Sequence, residues 1–258
     1  MSPDLIRAFA DSLPPDLRLR CVSQTDSTNR QARAEWQGPP LALFADHQSA
    51  GRGRRGNRWF SPAGHSLLFS LALAPPTSAE SWSLLTQAVG VAVAELLRQE
   101  TRIQACLKWP NDVLVEDRKI AGILLESDLQ SGLVVIGIGL NVLSQKEDFP
   151  EELRESATSV LREAPTLAQE THPREWLAGQ LLHHLFQWLD RPAQTILATA
   201  SAQSCLLDRL VELQTSSGPR RGLVRGLGPQ GELLLEENGT LHPILQAHEV
   251  RPLPSTYF

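Results

Sequence analysis

Cysteine is scarce in this chain of 258 residues: Cys21, Cys106 and Cys205 stand far apart and form no CxxC pair. That excludes a disulfide framework and a cysteine-based zinc site. No uncharged apolar stretch reaches the ~18 residues a membrane span requires. The opening residues MSPDLIRAFADSLPPDL lack the basic head and apolar run of a signal peptide. Lysine is rare too, since only Lys108, Lys119 and Lys146 are found among 24 basic residues. Acidic residues are missing altogether between Asp46 and Glu80, although the whole chain carries a net charge of −5. The overall balance argues against a surface dedicated to nucleic acid. The acidic gap leaves Arg52, Arg54, Arg55 and Arg58 as one concentrated positive loop.

What is present suffices for a core: 41% of residues are hydrophobic and 21% charged. The length suggests one large domain, or one with a small appendage, and the expected setting is cytoplasmic. Helical spacing is read over residues 2–12, 80–99, 173–190 and 192–203, with a further helix from an N-cap among Thr25, Asp26 and Ser27 to about Trp36. Strand-like runs fall at 18–24, 41–46, 65–73, 102–108, 112–116, 119–126 and 132–139. The last four have brief links and therefore pair antiparallel. After Cys205, five short apolar runs alternate with Ser-Ser-Gly-Pro, Gly-Pro-Gln-Gly and Asn-Gly, the punctuation of a small β-barrel. The fold class expected is α+β, divided into residues 1–204 and a β appendix at 205–258.

Gly51-Arg52-Gly53-Arg54-Arg55-Gly56 matches GxGxxG after a strand, but no helix pattern and no acidic residue follow at the distance a dinucleotide fold requires. HRD and DFG are also absent, which removes the kinase reading. A pliable backbone carrying guanidinium forks suits a carboxylate or phosphate. A solvated basic loop or an RNA contact stays open from the loop alone. A second cluster, Lys108-Trp109-Pro110-Asn111-Asp112, precedes Arg118-Lys119-Ile120-Ala121-Gly122-Ile123-Leu124-Leu125-Glu126. These read as a hairpin in which strict alternation puts Lys119 with Ala121 and Ile123, opposite Ile120, Gly122 and Leu124. Gly122 invites close approach by a ligand or a backbone, and two edge-strand lysines are the plain alternative. A third segment, Val134 to Asn141, is a buried strand with glycines at 137 and 139. His183-His184 reads as one helical turn with one ring buried and one solvated. The tryptophans are core by default, although Trp59 and Trp109 flank the motif loops.

In combination, Ser27-Thr28-Asn29, Gln48-Ser49-Ala50 leading into GRGRRGNRW, KWPND, RKIAGILLE, GIGLN and Ala157-Thr158-Ser159 resemble the biotin protein ligase family in order and spacing. The resemblance covers essentially everything from residue 20. It implies a mixed, mainly antiparallel sheet with helices, related to class II aminoacyl-tRNA synthetases, and an SH3-like C-terminal domain. It further implies synthesis of biotinyl-5′-adenylate from biotin and ATP with magnesium, then transfer of biotin to a lysine of a biotin carboxyl carrier protein, that of acetyl-CoA carboxylase being the family expectation.

By matching position, the resemblance makes Ser27, Thr28, Asn29 and Gln48 ligands of the biotin ureido ring. Arg52, Gly53 and Arg54 become the covering loop, and Lys119 the contact to carboxylate and phosphate. Asn111 and Asp112 fall near the phosphates or magnesium, and Gly122, Leu124 and Gly137 line the pocket. Arg54, Arg55, Trp59, Lys119 and Asn141 are the implied nucleotide contacts, and no protein-held metal site is expected. Only some twenty residues precede the catalytic core, so the DNA-binding domain of the repressor members, and DNA binding itself, are not expected. Pairing of two chains edge to edge through the sheet stays open. The rivals are a lipoate or octanoate ligase or transferase, and a nucleic-acid-binding module.

Fixed cations suit this chemistry, because attack of a carboxylate on an α-phosphate crowds negative charge onto phosphoryl oxygens. Arg52, Arg54 and Lys119 are suitable in kind.

Overall fold

The computed structural model describes residues 1–75 and 82–254. In chain order they form α1 (Pro3–Ala8), β1 (Arg18–Thr25), α2 (Thr28–Glu35), β2 (Leu41–Gln48), β3 (Ser66–Leu73) and α3 (Trp82–Thr101). Four strands follow: β4 (Cys106–Lys108), β5 (Asp112–Val115), β6 (Arg118–Asp128) and β7 (Leu133–Asn141). Then come α4 (Val160–Glu163), α5 (Pro173–Leu189), α6 (Ala193–Ala202), and the strands β8 (Leu210–Thr215), β9 (Gly218–Leu227), β10 (Leu233–Glu237), β11 (Thr240–Ile244) and β12 (Glu249–Pro252).

Seven strands make the main sheet in the order β1-β2-β3-β7-β6-β5-β4. Only β1 and β2 are parallel, and α2 supplies the crossover such a pair requires. The others pair antiparallel. Two expected elements differ in extent. The strand expected at 102–108 is confined to Cys106–Lys108, because α3 runs to Thr101 and Arg102 turns left-handed at φ 61°. The Ile103 amide then reaches back to the Leu97 carbonyl at 3.1 Å, closing the helix. The helix expected over 2–12 ends at Ala8, ahead of Pro14 and Pro15. The expected start of α3 at residue 80 lies outside the described residues.

The two faces of the sheet are covered differently. From β7, Val134, Ile136, Ile138 and Leu140 enter a core built with α3 and α5. Helix α3 buries residues around its whole circumference, the pattern of a helix enclosed by protein. Burial of each large aliphatic side chain there contributes about 1.5–3 kcal/mol. His184 of α5 is buried on this side and His183 half-buried, close to the expected division. The other face begins with Ala32 of α2 packed on Leu41, Leu43, Ala72, Leu133 and Val135. Alternation continues that face of β7 as Gly137 and Gly139, where the sheet is bare. Gly139 pairs directly with Gly122, and Gly137 with Leu124.

The five C-terminal strands form a second antiparallel sheet, ordered β11-β10-β9-β8-β12. Its core includes Leu206, Val211, Leu213, Val224, Leu235 and Val250, and also Trp109 from the loop between β4 and β5. Trp109 is 5% exposed, and its indole N–H donates to the Gly231 carbonyl at 3.0 Å. The second sheet is thereby locked onto a loop of the first.

Candidate active site

A cavity of about 230 Å³ opens over the bare part of the main sheet. Gly122, Leu124, Gly137 and Gly139 form its floor, and the arginine loop, residues 108–112 and residues 247–250 of the second sheet form its walls. The glycines are required by close packing. A Cβ on Gly139 would sit 2.3 Å from the Trp59 ring, and one on Gly137 would sit 2.3 Å from Asn29 Oδ1. Trp59 therefore lies on the sheet where a side chain would otherwise stand.

Lys119 reaches this face through an irregularity. Val113 pairs with Ala121 and Leu114 with Lys119, which leaves Ile120 as an extra residue, a β-bulge. Ile120 and Ala121 both enter the helix-side core. The bulge thus overturns strict alternation: Lys119 joins Gly122 and Leu124 at the cavity, while the side chains of Ala121 and Ile123 pack in the helix-side core. Its Nζ lies 2.6 Å from Asp112 Oδ1 and 5.6 Å from the centroid of the Trp59 ring. A Cβ on Gly122 would touch Lys119 Cε at 3.0 Å, so glycine keeps room for the ammonium.

The arginine loop is a narrow hairpin. Arg52 and Arg58 form an antiparallel bridge, the Gly53 amide donates to the Asn57 carbonyl at 2.7 Å, and the Trp59 amide donates to the Gly51 carbonyl at 3.0 Å. Arg52 pairs with Glu126 at 3.3 Å. Arg54 Nη1 donates to Asn111 Oδ1 at 3.3 Å, while Asn111 Nδ2 donates to the Ile123 carbonyl at 2.9 Å. Burial, followed by the neighbouring charge of Arg55, holds the Arg54 guanidinium below its ordinary value, with Asp112 opposing. A partly desolvated cation of this kind gains from an arriving anion. Arg55, at the exposed tip, takes a left-handed φ of 55°.

The far end of the cavity is polar. Ser27, expected among the N-cap residues, holds the N-cap position of α2 without a side-chain capping bond. Gln48 of β2 substitutes for it: its Oε1 accepts from the Thr28 amide at 2.7 Å and from the Thr28 hydroxyl at 3.0 Å. That leaves the Gln48 amino group as the donor it can offer a ligand. Ser27, Thr28, Asn29 and Gln48 all line the cavity.

The structure brings fifteen of the sixteen expected site residues to this one cavity. Asn141 is the exception. It is buried, and its Nδ2 donates to the Thr158 carbonyl at 2.9 Å, so it anchors the segment after β7 and does not face the cavity. Asn111 and Asp112, expected near phosphates, hold Arg54 and Lys119 in place in this structure. Sequence reasoning missed Glu126, Ser70 and the strip 247–250 from the second sheet, and it noticed Gly139 without placing it in the site. Glu126 alone had a local signal, since it lies two and four residues beyond Leu124 and Gly122 on a strand. Among the described residues no three His, Cys, Asp or Glu side chains are grouped to hold a metal ion.

The site is thus a cavity with a glycine floor, at which Lys119 and Arg54 are held by Asp112 and Asn111. Residues 20–142 match the Biotin/lipoate A/B protein ligase family. The chain is 32% identical over 235 residues to the biotin--[acetyl-CoA-carboxylase] ligase of Mycobacterium tuberculosis, covering 86% of this chain and 84% of that one. It is 34% identical over 209 residues to the bifunctional ligase/repressor BirA of Salmonella typhimurium, covering 78% of this chain and 63% of that longer protein. The biotin protein ligase of Aquifex aeolicus, solved with biotin and ATP, superimposes with a TM-score of 0.80 at 27% identity, covering 92% of this chain and 99% of that one. The chain belongs to the biotin protein ligase family.

Proposed function

We propose that the chain joins biotin to ATP as biotinyl-5′-adenylate and passes the biotinyl group to a lysine of a biotin carboxyl carrier protein. A biotin carboxylate oxygen attacks the α-phosphorus, and pyrophosphate leaves. The acceptor amine then attacks the acyl carbon, and AMP leaves with the C–O bond electrons. Lys119 carries this reading: its ammonium, seated by a bulge, stands between Asp112 and Trp59 above the glycine floor. Preorganised cations act where charge develops and need no reorganisation during reaction. Lys119 and Arg54 take that part. Arg52, Gly53 and Arg55 cover the junction and keep water from the anhydride. Magnesium enters with the triphosphate as part of the nucleotide substrate.

Incubating the protein with ATP, magnesium and biotin, and examining the products by mass spectrometry, tests the reading. Biotinyl-adenylate is the expected product, and its absence with free biotin and ATP unconsumed rejects the proposal.

A lipoate-type ligation is the second reading. The polar set of Ser27, Thr28 and Gln48 at the end away from Lys119 favours biotin, because paired polar groups reject an apolar ring strongly. Competition between the two acids separates them. The division into residues 1–204 and 205–258 is also our reading, supported by the second sheet beginning at Leu210. No helix among the described residues is long and apolar enough to cross a membrane. Action in the cytoplasm, where ATP is at hand, fits the same reading. Edge-to-edge pairing of two chains through β1 would have to accommodate exposed Arg18 and Arg20, and charged edges discourage strand pairing.

A further inference from the structure

Glu126 of β6 touches both the polar end of the cavity and the loop that covers it. Its Oε2 accepts from Asn29 Nδ2 at 2.8 Å, and its Oε1 lies 3.3 Å from Arg52 Nη1. Asn29 is 4% exposed, and its amide can point only one way. The Glu126 carboxylate and the Leu124 carbonyl, at 3.3 Å, are acceptors, so the amino group must face them. Oδ1 then receives the hydroxyl of buried Ser70 at 2.6 Å. Both N–H bonds of Asn29 are thereby spent inside the protein. The loop, for its part, has no acidic residue of its own between Asp46 and Glu80, so the counter-charge for Arg52 comes from across the cavity.

We infer that Glu126 is a positioning residue for the reaction proposed above: one carboxylate sets the Asn29 amide and tethers the covering loop through Arg52. It couples the shape of the biotin end to closure over the adenylate. Its effect falls on retention of the bound acid and intermediate, since its two partners lie at the rim and the far end, away from the Lys119–Asp112 pair. The inference rests on the biotin ligase reading.

Two variants separate its two roles. Glu126→Gln keeps an amide oxygen for Asn29 and loses the charge facing Arg52; Glu126→Ala loses both. The intermediate should leave Glu126→Gln about two- to fivefold faster, the scale of one half-exposed ion pair. Added salt should narrow that gap. Glu126→Ala should also raise KM for biotin roughly tenfold, because a buried amide hydrogen is left without an acceptor. In both variants kcat for adenylate formation should stay within about twofold of wild type. In a double-mutant cycle, Glu126→Gln should add nothing to the off-rate once Arg52→Ala is in place.

Additive off-rates, or a fall in kcat at unchanged KM, would overturn the inference. Should Glu126→Ala fail to fold, the near-isosteric Glu126→Gln cycle decides alone. Wild-type protein that makes biotinyl-adenylate while the cycle is additive sinks only the role of Glu126; wild-type protein that makes none sinks the enzymatic reading as well.

Discussion

On one face of the main sheet, Val134, Ile136, Ile138 and Leu140 meet α3 and α5 in a continuous core. On the other face the same strand offers Gly137 and Gly139, with Asn29 and Trp59 lying where side chains would be. A single residue of register separates the two. The helix-covered face holds the fold together by apolar burial, and close-packed interiors of that kind resist change. The cavity face gives up that burial for space, and its cations are held by pairings that an anion can replace. Substitutions on the cavity face should therefore move activity with little change in stability, and those on the helix-covered face should do the reverse.

The largest test of this contrast is Lys119→Ala. Losing one preorganised donor should slow adenylate formation by ~10²–10³, or about 2.7–4 kcal/mol of barrier. The ammonium is partly exposed, so the thermal midpoint should hardly move. Pyrophosphate release near the wild-type rate would remove Lys119 from the mechanism.

Gly139→Val comes next. Its Cβ would fall 2.3 Å from Trp59, so the indole has to leave the floor. Overpacking of this kind costs about 1–3 kcal/mol. Here the indole can relieve it by swinging away, so the loss should appear in ligand affinity, roughly five- to hundredfold. Calorimetric titration with biotin and nucleotide, alongside tryptophan fluorescence, reads both. Unchanged affinity with a lowered melting temperature would erase the distinction between the faces.

Arg54→Gly is expected to be milder. It removes the bond to Asn111 and one partly buried cation from the covering loop. Off-rates of the intermediate should rise by about tenfold, the equivalent of roughly 1.4 kcal/mol, with untargeted labelling of other lysines. An off-rate equal to wild type counts against the loop as a cover.

Much of this arrangement was legible in the sequence, and the failures have physical causes. GRGRRG alone left an anion site, a solvated loop and an RNA contact open, and only the resemblance joined it with KWPND and the lysine of RKIAG, which the fold brings to one cavity. Lys119 was assigned to the wrong face, since alternation is blind to a bulge whose extra residue, Ile120, is as apolar as its neighbour Ala121. Trp109 flanks the motif loops in the sequence. It borders the cavity and also fills the core of the second sheet, a contact 122 residues away in sequence that local pattern cannot register. Asn141 entered the expected site only through the resemblance, and its amide serves the Thr158 carbonyl, a partner that the fold supplies. Glu126 was passed over as a strand end, because its partners Asn29 and Arg52 are brought to it only by the fold.

The smallest expected effect lies on the helix-covered face and sharpens the comparison from that side. His184 of α5 is buried, and burial is the main cause holding its imidazole below the ordinary value of 6.5; the neighbouring His183 acts the same way, while Glu100 at 3.7 Å and Glu95 oppose. The folded protein therefore binds fewer protons at this ring than the unfolded chain does. By linkage, stability rises with pH wherever the unfolded state holds more protons. The contribution is intact above pH 6.5 and is lost progressively as the pH falls from there toward the depressed folded value. Thermal melts between pH 7.5 and 5 should show this slope, and His184→Gln should flatten it. Adenylate formation per folded molecule should keep the same pH profile in both proteins, because His184 faces away from the cavity. A variant that shifted the activity profile and left the melting slope untouched would reverse the division of labour between the two faces.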